Sequence, residues 1–181
     1  MTSLQKNKRN KRRKNILSTS TQLCCVDQSD TWNFAHLKTK NYIFLKPQDK
    51  LVQMIEEEDW ERVEKMCKSH SSCTQAPVRD REKNMTALPI HFACRKKPNE
   101  QAIISLLKAN PKGACTKIKE TEEYPLHIAC RHEASYDVIA LLVIHYAKAV
   151  NLKNIKGCLP LDYVRQSGNE EVTRFLEDVM D

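Results

Sequence analysis

The stretches LPIHFACR (88–95) and YPLHIACR (124–131) are nearly one phrase written twice. Each carries a proline and then a histidine three residues ahead of a cysteine: His91 with Cys94, and His127 with Cys130. Residues three apart share one face of a helix, and imidazole and thiolate are favoured zinc ligands. The pairs therefore read either as halves of a metal site or as the marks of a repeating unit. A looser third copy, LPLDYVRQ (159–166), decides between them, because Asp162 and Arg165 stand where the histidine and cysteine stood. Zinc needs donors converging at about 2.0–2.3 Å from one ion. Equivalent positions on stacked helices lie roughly 8–10 Å apart. A repeat accounts for the spacing, the period and the loss, whereas a metal accounts only for the residue types. No metal and no cofactor is expected.

Working outward, Pro89, Pro125 and Pro160 lie 36 and 35 residues apart. Each suits the first position of a short helix, where a missing N–H costs nothing. A second helix follows each time. EQAIISLLKAN offers Ile103, Ile104, Leu106 and Leu107 as a buried stripe, and the segment Tyr136 to Tyr146 offers Val138, Ile139, Leu141 and Leu142. In NEEVTRFLEDV the stripe is Val172, Phe175 and Leu176. Upstream, LVQMIEEEDWERVEKMCK has helical spacing in Leu51, Met54 and Ile55 and again in Val63, Met66 and Cys67, with Asp59 as the cap between them. Self-similarity at this period marks a solenoid of stacked helix pairs.

The signatures LPIHFAC, YPLHIAC and LPLDYV resemble those of the ankyrin-repeat family, over about 49–181. The family pattern is Thr-Pro-Leu-His, then Ala-Ala, a glycine, and a Val-x-x-Leu-Leu outer helix. Here Leu88, Tyr124 and Leu159 replace the threonine, and Asp162 replaces one histidine. The family glycines survive only as Gly168 between helices and Gly157 before the proline. The resemblance implies an all-α ankyrin-repeat solenoid with a cap hairpin at 49–70 and repeats at about 85–117, 121–152 and 154–181. Residues 32–48 read as a linker or a docking segment. The resemblance also implies non-enzymatic protein binding through a concave face and hairpin tips, with the histidine in the turn that opens the inner helix.

Charge sets one segment apart. The chain of 181 residues has 30 Lys and Arg against 23 Asp and Glu, a net +7. KNKRNKRRK (6–14) holds the whole excess in Lys6, Lys8, Arg9, Lys11, Arg12, Arg13 and Lys14. Residues 1–31 are polar and lack aromatics, which predicts a disordered tail. The tail reads as a nuclear-targeting signal, as a solubilising segment, or as the nucleic-acid contact of an alternative function. Its apolar residues are too sparse for a mitochondrial presequence.

The remaining composition excludes further classes. Eight cysteines are about 4 per cent of the chain, below the density of a disulfide scaffold. This predicts reduced thiols and an intracellular protein of the nucleus or cytoplasm. The apolar run VIALLVIHYAKAV (138–150) is too short to span a bilayer. Three glycines cannot build a phosphate or dinucleotide loop. The carboxylates of EEED (56–59) form a solvated helix end and not an acid–base couple, so no catalytic set is expected. The adjacent Cys24 and Cys25, and HSSC with His70 and Cys73, read as incidental thiols. Candidate partner-binding residues are the basic positions at the inner-helix ends. Arg95, Arg131 and Arg165, joined by Lys96, Lys97 and His132, would form a ladder that caps helix dipoles or meets an acidic protein partner. A monomer is expected.

Overall fold

The computed structural model of the protein describes residues 45–80 and 83–180. In chain order these form α1 (Pro47–Glu56), α2 (Trp60–Ser69), β1 (Val78–Asp80), β2 (Met85–Ala87), α3 (Pro89–Arg95), α4 (Glu100–Ala109), α5 (Pro125–Arg131), α6 (Tyr136–His145), α7 (Pro160–Ser167) and α8 (Glu170–Met180). Single 3-10 turns at Ser71–Thr74, Pro111–Cys115 and Ala147–Asn151 follow α2, α4 and α6. The expected tail at 1–31, its basic run and most of the 32–48 segment lie outside the described residues.

The helices begin where the chain chemistry tells them to. Proline occupies the first turn of α1, α3, α5 and α7, with φ already set for a helix and no N–H to leave unbonded. α2, α4 and α8 instead start behind side-chain caps. The carboxylate of Asp59 accepts from the Arg62 N–H at 3.2 Å, the Asn99 amide oxygen from Ala102 at 2.7 Å, and the Asn169 amide oxygen from Val172 at 3.1 Å. The first helix begins at Pro47, two residues ahead of the expected 49, because that proline is itself the helix opener.

Packing runs in two rows. α1, α3, α5 and α7 pack on one another in succession as inner helices, and α2, α4, α6 and α8 do so as outer helices. Ala93 with Cys94 and Ala129 with Cys130 are fully buried, their small side chains allowing the inner helices to approach closely. The outer row contributes Ile103, Leu106, Leu107, Ile139, Leu142 and Leu176 to the same continuous core. Ile104 and Leu141, expected in the buried stripe, are half-buried at its edge.

Two features depart from the sequence reading. First, the segment ahead of α3 is a two-stranded antiparallel ribbon, β1 with β2, in which Val78 pairs with Ala87 and Asp80 with Met85. Its strands are three residues each, too short for periodicity to betray. Second, the turns between paired helices keep left-handed backbone where glycine is missing. Glu58, Lys97 and Glu133 have φ of 57°, 49° and 55°, matching Gly168 at 73°. Bonds from Asp59 N–H to Met54 O and from Ala134 N–H to Ala129 O, each 3.0 Å, close the first and third turns. In the second, Pro98 has no N–H to give.

Candidate partner-binding surface

The repeated histidines are framework residues. In α3, the Leu88 N–H donates to His91 Nδ1 at 3.2 Å, which leaves the ring proton on Nε2 to donate to the Thr116 carbonyl at 3.0 Å. In α5 the same two bonds run from the Tyr124 N–H to His127 Nδ1 at 3.3 Å and from His127 Nε2 to the Leu152 carbonyl at 3.0 Å. Each imidazole ties the start of an inner helix to the chain 25 residues onward. In α7, the Asp162 carboxylate accepts from the Leu159 N–H at 2.7 Å, so the acid keeps the near bond of the histidine. Without a threonine hydroxyl before the proline, the residue three positions into the helix supplies the cap.

Burial makes these groups chemically quiet. His91 is 1 % exposed, and desolvation brings its pKa down to about 4, more than the carbonyls of Thr116 and Leu88 raise it. Desolvation also lowers His127. Burial pushes the Cys94 thiol up to about 12 and Cys130 upward as well, the opposite of what a nucleophile or metal ligand requires. Cys73, pushed up to about 11 by burial, donates to the His70 carbonyl. Among the described residues no group of three or more His, Cys, Asp or Glu side chains could hold a metal ion.

The basic positions at the inner-helix ends are tied to carboxylates of the chain. Arg95 donates from Nη2 to Asp80 Oδ2 at 2.8 Å and lies over the Phe92 ring, 4.8 Å from its centroid. Arg131 donates to Glu123 and sits 5.6 Å over the Tyr163 ring of the next helix pair. Lys96 pairs with Glu56 at 2.9 Å, Lys97 with Glu133 at 3.4 Å and Arg165 with Glu177 at 2.7 Å. Asp80 and Glu123 are 8 % and 4 % exposed. Their arginines are therefore counter-ions to buried carboxylates, a stronger constraint than a helix dipole. Sequence spacing gave no access to this, because the partners lie 15 residues before Arg95 and 8 before Arg131. A periodic chain had hidden them in loops of unequal length.

One open cleft, about 620 Å³, gathers part of the ladder. Val52 and Glu56 of α1, the β1 residues Val78, Arg79 and Asp80, Lys83 of the ribbon loop, Phe92 and Arg95 of α3, Lys96, and His132 line it. Arg95, Lys96 and His132 thus come together, while Lys97, Arg131 and Arg165 do not line this cleft. Arg79 and Lys83 were missed from sequence, since the ribbon that places them was not legible. The His132 pKa is lowered by burial first, then by the nearby charges of Arg131, Lys83 and Arg95. The loops ahead of the inner helices are joined side by side: the Thr86 N–H donates to Glu120 at 3.2 Å, and the Ile155 N–H to the Thr121 carbonyl at 3.0 Å. At the third loop tip, Ile155 is 64 % exposed.

Comparison with known proteins adds one match. The family model of the ankyrin repeat matches residues 122–155, which run from the end of the loop ahead of α5 through α5 and α6 to the tip of the third loop. No curated protein matches the chain. Ankyrin repeats are protein–protein interaction modules and the family is typically non-enzymatic. Among the described residues no helix is long and apolar enough to cross a membrane. The matched segment reads as one ankyrin repeat, and with helix pairs of the same build on either side of it the mostly helical stack of hairpins is consistent with the ankyrin-repeat fold.

Proposed function

We propose that the protein is a non-catalytic interaction module that binds another protein on the concave inner-helix face and the loop tips. The observation that carries this reading is the division of labour among the side chains. The repeated pairs His91 with Cys94 and His127 with Cys130 are locked inside the repeat framework, with both His91 ring nitrogens bonded to the backbone. The open cleft and the exposed Ile155 lie on the loop and inner-helix side instead. Arg95, Lys96, Lys97, Arg131, His132 and Arg165 act there as a contact ladder, the two best-buried arginines held by their carboxylates and the lysines and Arg165 free to exchange partners. The protein works as a monomer in the nucleus or cytoplasm, and the run at 6–14 is a targeting signal.

A capture experiment tests this. Immobilised full-length protein should retain a defined protein from nuclease-treated extract, and Ile155→Asp should release it with the melting temperature unchanged. The competing function, nucleic-acid association through the basic run, predicts capture that disappears on nuclease treatment or on deletion of residues 6–14, and a steep salt dependence.

A further inference from the structure

The cleft between the β1–β2 ribbon and the inner helices carries more positive charge than its own carboxylates neutralise. Among the described residues that line it, Arg79, Lys83, Arg95 and Lys96 face only Asp80 and Glu56. Lys96 is matched by Glu56, and Arg95 by Asp80, whose other oxygen accepts the Lys83 backbone N–H at 3.2 Å. Arg79 is bound to the neutral amide of Asn84 at 2.6 Å. The surplus therefore comes from the two ribbon residues, which are both exposed.

Several features make this a built site and not a solvated patch. Arg95 is immobilised by a buried carboxylate below and an aromatic ring beside it, so its remaining N–H donors are already aimed. Val52, Val78 and Phe92 supply an apolar floor beneath the charges. The volume lies within the roughly 300–1,000 Å³ usual for ligand pockets. An aliphatic stem ending in a planar oxyanion fits such a wall and floor. A carboxylate suits the modest surplus better than a dianionic group, because Asp80 and Glu56 remain in the same cleft.

We propose that this cleft is the acidic-peptide subsite of the protein: an Asp- or Glu-rich segment of the partner inserts a carboxylate between Lys83 and Arg95, with Arg79 and His132 flanking it. This rests on the protein-binding reading above and places its recognition at the ribbon, upstream of the residues matched as an ankyrin repeat.

The test uses the full chain, so that the run at 6–14 is present in every sample. A fluorescent hexaglutamate peptide is titrated by anisotropy into wild type, Lys83→Glu, Arg79→Gln and the charge-matched control Lys153→Glu, with each melting temperature measured. The expected result is a roughly tenfold weakening in Lys83→Glu and a smaller loss in Arg79→Gln, with Lys153→Glu unchanged. Hexaglutamate should also move the His132 ring resonances of wild type but not those of Lys83→Glu. Equal weakening by Lys83→Glu and Lys153→Glu would overturn the proposal, as would undetectable binding. So would Lys83-dependent binding of an oligothymidine in place of the peptide. If the subsite fails while extract capture still depends on Ile155, the subsite alone is wrong.

Discussion

His91 shows how a single residue can look like chemistry and serve as structure. Its folded pKa of about 4 lies below the ordinary value of 6.5, so the unfolded chain takes up a proton that the folded chain refuses. Stability is full above pH 6.5 and falls as the pH drops toward 4. From His91 the loss is roughly 3 kcal/mol by pH 4. Denaturant midpoints measured between about pH 7 and pH 4 should follow this slope, and His91→Gln should flatten it. A variant as acid-sensitive as wild type would remove His91 from the account. Arg131 behaves as a counter-ion. Replacing it with Ala strands the buried Glu123 carboxylate and should cost about 3 kcal/mol. Adding Glu123→Gln to that variant should recover part of the loss, because no unpaired charge then remains. If the double variant is as unstable as Arg131→Ala, the pair is not what holds this position.

At the scale of the element, the turns between helices carry the most informative mismatch between sequence and backbone. Glu58 occupies a left-handed conformation that glycine adopts freely, at φ 57°. Glu58→Gly should therefore raise stability by about 0.5–1 kcal/mol. At the third loop, Gly157 has φ 78°, and a Cβ added there would meet nothing within 4 Å. Gly157→Ala should lower stability by a similar ~1 kcal/mol, from backbone conformation and not from a clash. Thermal melts of the two variants check both signs. Without glycine at 97 and 133 nothing in the sequence announced the left-handed backbone of those turns, but the proline openers and the Asp59 cap made the helices themselves legible. The β1–β2 ribbon was not legible: three-residue strands carry one alternation each, and tertiary pairing decides them. The cleft was unreadable for the same reason, since Asp80, Arg79 and Lys83 reach Arg95 only through that ribbon.

Across the whole molecule, the claim is that the described residues form a continuous stack in which each helix pair is stabilised by its neighbours. Leu142 is 2 % exposed in α6, and Trp60 starts α2 two helix pairs away. Leu142→Ala should cost about 2–5 kcal/mol through lost burial and a cavity. If the stack is one cooperative unit, the loss is felt at its far end. The decisive measurement is denaturant unfolding of Leu142→Ala in a Trp32→Phe background, followed by Trp60 fluorescence and by far-ultraviolet circular dichroism. The account predicts that both signals move together to a lower midpoint. A Trp60 transition that stays at its parental midpoint while the helical signal falls would contradict it, because the first helix pair would then stand without the third.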